Sequence, residues 1–288
     1  MEESKIDYDL SKYEMIKYNK NNTSEVLTFY KYSNIEGKKF SDDIYQYIYD
    51  KYNIKDYEDA RVILFFGKKG EGKTTAINAF FNVIKGIKIE DKFRFILLTK
   101  SNLENNKGIH LYYIKRYDNT PIIIINMEFY GQPLEDNKLK EAFIKLFKEL
   151  IDHINIVCFV SKITNSKLAE YEYFQIKQIF PNKIMDNIIF LTTFANFENM
   201  NNEPAFIKSM NNGEFKNIKN ISYFSLNGQS ILNNNINNDL AKYSYNQFNK
   251  FYEEKVKKSI SISTKIFINI FELKNELKNQ TDLLSKSF

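Results

Sequence analysis

No tryptophan occurs in this sequence, and it has only one cysteine, two histidines, four prolines and nine glycines. A lone cysteine excludes an internal disulfide. Cys158 lies inside the apolar run Ile156–Val160, so it reads as a buried strand residue in a reducing compartment. His110 and His153 are far apart and show no metal-ligand spacing with Cys or acidic partners. No run approaches the roughly 18 apolar residues of a membrane span. The charged stretch Met1–Tyr13 has no apolar core of a signal peptide. A cytoplasmic protein is the expectation. There is no block of one charge sign either: the net charge of +5 is spread over interleaved Lys/Arg and Asp/Glu, which argues against a nucleic-acid partner. What is abundant is apolar and aromatic: 43% hydrophobic residues, with 25 Phe and 20 Tyr, enough for a sizeable core.

Against that glycine poverty, three of the nine glycines fall within six residues, at Gly67, Gly70 and Gly72. The run Gly67-Lys68-Lys69-Gly70-Glu71-Gly72-Lys73-Thr74-Thr75 fits G-x-x-x-x-G-K-[ST], the phosphate-cradling P-loop. A chain of this length matches by chance on the order of one time in a hundred. The flanks strengthen the match: Arg61–Phe66 reads as a buried strand and Ala76–Ile84 as a helix. In that geometry backbone N–H groups and a helix N-terminus converge on an anion. Lys73 then reaches the β- and γ-phosphates, and the Thr74 hydroxyl is the candidate Mg²⁺ ligand.

The rest of the chain alternates. Ser24–Tyr32 is expected to be a strand and Lys38–Tyr52 an amphipathic helix, with Phe40, Ile44, Tyr47 and Ile48 on one side. Strands are expected over 109–114, 122–125, 154–160, 187–193 and 221–226, and Phe93–Phe95 also reads as a strand. Helices are expected over 139–151, about 166–180 and about 203–210. Such alternation predicts an α/β fold with a mostly parallel central sheet and helices on both faces. From about Asn237 the pattern becomes helical. Residues 240–260 are expected to pack on the core; for 265–288 a partner helix competes with packing. Ser261, Ser263 or Thr264 is the expected N-cap of the last helix. Three segments follow: an N-terminal strand/helix extension over 1–55, a P-loop domain over 56–236 and a helical tail over 237–288. The tail ends within a helical pattern, as a piece of a longer product would, and carries no lipidation motif, so membrane association is not indicated.

Several blocks carry a resemblance. Asn78 to Phe95 is similar to the passage after the P-loop in septin-related, immunity-associated G domains. Asn155–Val160 resembles that group's "DAVCFV" strand, Asn187–Asn196 its "NIxFLxTFAD" segment, and Phe224–Ser230 its last nucleotide loop. Phe248–Tyr252 and Ser261–Ile266 resemble its helical tail. The likeness runs in order over about residues 60–275. It implies a three-layer P-loop NTPase fold of the G-domain type with GTP or GDP and Mg²⁺ as ligands. It also implies a nucleotide-dependent switch or assembly module, homo-oligomeric through the nucleotide face or the C-terminal helices. Phe194 would lie along the base, Asn196 would face its edge, and Asn227 and Gly228 would contact it from the other side.

The departures are equally specific. Where the family has Asp-Thr-Pro-Gly, the favoured register places Asn126-Met127-Glu128-Phe129, so Asn126 replaces the Asp that bridges through water to Mg²⁺. A second register, Glu128-Phe129-Tyr130-Gly131, loosely mimics D-x-x-G. The switch threonine is absent near Asn105–Lys107 unless Thr99 or Ser101 serves. Asn196 stands where the family has an Asp that accepts two guanine hydrogen bonds, which a neutral amide cannot do with both of its atoms. The expectation is nucleotide binding with weak or absent hydrolysis. The alternatives are a pseudo-GTPase scaffold acting through protein contacts and an ATP-using P-loop enzyme.

Overall fold

The computed structural model describes residues 13–17, 28–32, 37–49, 54–98, 108–129, 133–164, 187–200, 202–204, 207–208, 222–233 and 238–286. The strands in chain order are β1 (Tyr13–Lys17), β2 (Thr28–Tyr32), β3 (Gly37–Ser41), β4 (Ile44–Ile48), β5 (Arg61–Lys68), β6 (Phe93–Ile96), β7 (Ile109–Lys115), β8 (Pro121–Phe129), β9 (His153–Ile154), β10 (Ile156–Lys162), β11 (Ile188–Thr193), β12 (Ser222–Ser225) and β13 (Ile262–Ser263). The α-helices are α1 (Lys73–Ile84), α2 (Pro133–Glu149), α3 (Gly228–Leu232), α4 (Asn238–Phe251) and α5 (Lys265–Lys286), with a π-helical turn over Tyr252–Val256.

Eight strands form the central sheet in the order β12-β11-β10-β5-β8-β7-β4-β3. Five of its seven pairings are parallel; β7–β8 and β3–β4 are antiparallel. β5 lies inside the sheet between β10 and β8 and is apolar on both faces, as a strand covered by helices on both sides must be. One face carries Val62, Leu64 and Phe66 and packs against Leu139, Phe143, Leu146 and Phe147 of α2. The other carries Ile63 and Phe65 and packs against Ile77, Phe80 and Phe81 of α1, backed by Phe248 and Phe251 of α4. The result is the expected three-layer α/β architecture with a mostly parallel sheet. A small sheet, β1-β2-β6, lies beside α1, and a two-stranded ribbon joins β13 to β9.

The helix expected over Lys38–Tyr52 is not formed; the segment from Gly37 to Ile48 is a β-hairpin on the sheet edge. Its apolar positions fit a helical stripe by spacing, but they also alternate. Ile44 and Ile48 face the α2 side, while Tyr45, Tyr47 and Tyr49 face the α1 side. Ile and Tyr favour the strand, and β7 offers a parallel edge from Ile44↔Ile109 to Ile48↔Tyr113. The strand expected over 24–32 is seen over Thr28–Tyr32. The helix expected near 166–180 lies outside the described residues, as does most of the one near 203–210.

α4 and the π-helical turn after it pack on the core, with Phe248, Phe251, Tyr252 and Val256 buried on the α1 side. Thr264 directly precedes α5. Its hydroxyl donates to the Ile151 carbonyl at 3.0 Å, satisfying a carbonyl just beyond α2, and its own carbonyl accepts from Ile268 N–H. α5 begins against α2, with Ile268 partly buried and Lys148 paired to Glu272, and then leaves Leu273 and Leu277 exposed. Among the described residues no helix is long and apolar enough to cross a membrane.

Candidate functional site

β5 delivers the chain to the C-terminal edge of the sheet, and the glycine-rich loop turns it into α1. Gly70 and Gly72 both have φ of +86°, a left-handed conformation that side chains resist. At Gly67 (φ +154°) a Cβ would stand 2.4 Å from the Val160 carbonyl oxygen. Gly72 is the N-cap of α1 and gives no side-chain cap, and the first turn holds no acidic residue. That helix end therefore retains its positive dipole end for an anion. Lys73 is buried at 3% exposure. Its Nζ donates to the carbonyls of Gly67 (2.8 Å) and Lys68 (2.9 Å), so the ammonium folds back over the loop it would serve. Lys68, Lys69 and Gly70 are exposed at the rim, and Thr74 and Thr75 are half-buried in the first turn of α1.

The acid that reaches this loop is Glu128. In the β5–β8 register it lies opposite Gly67, and its Oε1 is 3.2 Å from Lys73 Nζ. Asn126 lies opposite Phe65, two residues deeper on the same face; it is 4% exposed, and its Oδ1 has no hydrogen-bond partner among the described residues. Gly131, Thr99, Ser101 and Asn105–Lys107 lie outside the described residues. Two hard oxygen groups, the Thr74 hydroxyl and the Glu128 carboxylate, thus border the phosphate loop. That donor set suits Mg²⁺, which is bound through one or two carboxylates plus substrate phosphates. No cluster of three or more His, Cys, Asp or Glu side chains among the described residues is arranged as a metal cage.

The loops expected from the sequence to face a base come from the ends of β11 and β12. Phe194 is 56% exposed at φ +59°, strained for a bulky residue, with Lys162 Nζ 5.4 Å from its ring centre. A Cβ on Gly72 would stand 3.2 Å from Phe194 Cε2, so this ring borders the phosphate loop. Asn227 braces the neighbouring loops: its Oδ1 caps α3 at Ser230 N–H (3.1 Å) and its Nδ2 donates to the Ala195 carbonyl (2.9 Å). Gly228 closes against α1, where a Cβ would meet Thr75 O at 3.0 Å. Asn196 is exposed and locked in a reciprocal pair: its N–H donates to Asn199 Oδ1 (2.7 Å) and its Oδ1 accepts from Asn199 N–H (3.1 Å).

No family model matches the chain, and no curated protein matches it. Solved structures do. A dimerisation-deficient mutant of Toc33 from Arabidopsis thaliana is similar at 14% identity and a TM-score of 0.42, over 61% of this chain and 76% of that chain. A GTP-binding protein from the hyperthermophilic archaeon Sulfolobus solfataricus, in complex with GDP, is similar at 12% identity and a TM-score of 0.34, over 68% of this chain and 55% of that one. The Arl6 small GTPase from Trypanosoma brucei with a bound nucleotide analogue is similar at 12% identity and a TM-score of 0.37, over 65% of this chain and 98% of that one. Likenesses of this strength carry no statement about chemistry, which rests on the residues of the site itself.

The fold brings together Gly67 to Thr75, Phe194 and Gly228 through direct approach, and Asn227 through its brace. It gives Glu128 the place beside the lysine and leaves Asn126 deeper in the sheet. The sequence offered both registers and favoured Asn126; strand pairing sets Glu128 opposite Gly67 and Asn126 opposite Phe65. Lys162 carries no motif signal; only the packing of β10 beside the loop reveals it.

Proposed function

We propose that this chain is a G-domain-like nucleotide-binding protein, a divergent relative of the septin-related, immunity-associated class, that serves as a switch or assembly module with weak or no unassisted GTP hydrolysis. The observation that carries it is the Gly67–Thr75 loop: left-handed glycines, an uncapped α1 N-terminus and Lys73 folded over the loop. Phe194 supplies a face for a base, and Asn227 and Gly228 set the opposing loop.

Hydrolysis is expected to be weak because the parts that respond to the γ-phosphate are altered. Asn126 lacks the charge of the family's Asp. Glu128 is occupied with Lys73, and that pair must open for the ammonium to meet phosphate. Mg²⁺, when bound, would neutralise charge on the β- and γ-phosphates; Thr74 and Glu128 are the residues that would hold it. Base choice is relaxed, since the Asn196 amide is engaged with Asn199 and offers no second acceptor oxygen to guanine. That engagement favours, as a second reading, an ATP-using P-loop enzyme. The exposed Leu273 and Leu277 on α5 give assembly an apolar stripe to use.

A thermal-unfolding panel with GTP, GDP, XTP and ATP, each with Mg²⁺, tests this. A ligand at a hundred times its Kd adds about 2.7 kcal/mol. Shifts with GTP and GDP above ATP are expected; equal or larger shifts with ATP favour the second reading. No shift with any of the four leaves a scaffold acting through protein contacts. Single-turnover GTP hydrolysis is expected to stay at or below the roughly 10⁻⁴ s⁻¹ of unassisted small G domains, and a rate above about 1 per minute contradicts the reading.

A further inference from the structure

Glu71 occupies a position that the P-loop pattern leaves free. It is nonetheless 6% exposed, so an acidic side chain is buried in a loop built to hold an anion. Burying a carboxylate costs free energy unless it is hydrogen-bonded, and its charge opposes phosphate. Its contacts account for it. Oε2 accepts from the Lys162 N–H at 2.7 Å, at the end of β10. The backbone carbonyl of Glu71 accepts from the Thr193 hydroxyl at 2.7 Å, at the end of β11. From these two tethered residues come both parts of the base face: Lys162 sends its ammonium over the Phe194 ring, and Thr193 precedes Phe194 directly. Phe194 keeps its φ of +59° between this anchor and a second one, where Ala195 N–H donates to Leu226 O and Ala195 O accepts from Asn227. A bulky residue held left-handed persists only where its surroundings over-determine it.

We propose that Glu71 is a positioning residue that locks the base-side loop to the phosphate loop, so that the Phe194 face is set for a nucleobase before the nucleotide arrives. The proposal rests on the nucleotide reading above. Glu71 acts on the base half of the ligand, not on the phosphates. Its removal therefore separates two affinities that a simply damaged loop would lose together.

The test is calorimetric titration of the full chain with GDP and with inorganic tripolyphosphate. Glu71→Ala is expected to weaken GDP about tenfold, the scale of one lost charge-assisted hydrogen bond. Tripolyphosphate affinity stays level or rises, because a buried negative charge has gone. Glu71→Gln, whose amide oxygen still accepts from Lys162 N–H, restores GDP affinity to within about threefold of the parent, less than half that bond's effect. Thr193→Val, which cuts the second tether and leaves the carboxylate, lowers GDP affinity without lowering that for tripolyphosphate. Parallel loss of both ligands in Glu71→Ala, no loss of either, or a Gln variant as weak as the Ala variant overturns the proposal. If Glu71→Ala does not fold, the Thr193→Val ratio of the two affinities decides. Should the parent chain bind neither ligand, the nucleotide reading falls and this proposal with it. Binding of both by the parent with parallel loss in the variants sinks this proposal alone.

Discussion

Tyr49 and Tyr112 are buried on the same face of the sheet, at 2% and 1% exposure, and differ in what their hydroxyls meet. Tyr49 donates to the Leu97 carbonyl at 3.1 Å, whereas the Tyr112 hydroxyl has no partner among the described residues. A made hydrogen bond is worth about 1 kcal/mol, and a buried unmade one costs about as much or more. Tyr49→Phe is therefore expected to lower the free energy of unfolding by about 1 kcal/mol. Tyr112→Phe should leave it unchanged or raise it by a similar amount, read from urea unfolding at neutral pH. Burial pushes both phenols well above the ordinary tyrosine value. The folded pKa is the higher one, so this contribution is intact below pH of about 10, where the unfolded chain begins to ionise, and is lost as pH rises further. Each Phe variant should flatten that alkaline fall. The aromatic richness was legible in the sequence; which hydroxyl finds a carbonyl was not, because Leu97 and Tyr49 meet only through the fold.

At the scale of elements, α1 carries two buried asparagines, residues that usually weaken a helix interior. They replace a strand partner. Asn78 accepts from the N–H groups of Leu97 and Leu98 and donates to Leu98 O. Asn82 accepts from Phe95 N–H and donates to Phe95 O and Asn78 O. β6 is thereby zipped onto a helix on one side and onto β2 on the other. Arg94 in β6, 1% exposed, donates to the carbonyls of Ile231, Asp91, Phe93 and Ile89, a structural task that suits its place outside the site. Asn82→Leu strands a buried N–H and a buried C=O, which should cost about 3 kcal/mol. Hydrogen exchange at the Phe95 amide should accelerate in step; exchange unchanged from the parent would contradict the zipper. The P-loop, β5 and α1 were readable because glycine spacing and the change from a continuous apolar run to helical periodicity are local signals. The hairpin over Gly37–Ile48 was not, since Phe40, Ile44, Tyr47 and Ile48 fit a helical stripe while the five residues of β4, Ile-Tyr-Gln-Tyr-Ile, also fit an alternating one. That Glu128 rather than Asn126 lies beside Lys73 follows from strand register, a long-range property with no local signal.

For the whole molecule, the motif-bearing span 56–236 depends on what lies outside it. β4 covers the outer edge of β7, pairing from Ile44 to Ile48, and without it β7 presents an unpaired strand edge. From the other end of the chain, Phe248 and Phe251 pack on Phe80 of α1 at ring separations of 5.7 Å and 5.4 Å. β13 pairs with β9, and the Thr264 N–H donates to Asp152 O while its hydroxyl holds Ile151 O. A fragment of residues 56–236 loses that strand partner and uncovers the α1 face that carries the phosphate loop. Each large apolar side chain so uncovered forfeits roughly 1.5–3 kcal/mol, against a total stability of about 5–15 kcal/mol for a domain. The fragment is therefore expected to aggregate or remain unfolded, while the full chain elutes as a defined species and gains stability from nucleotide. Size-exclusion chromatography and thermal unfolding with and without GDP distinguish the outcomes. A monodisperse fragment whose unfolding is shifted by GDP as far as that of the full chain would show that the hairpin and α4 are appendages to the P-loop core; the packing of Phe248 and Phe251 onto α1 and the pairing of β4 with β7 make them part of it.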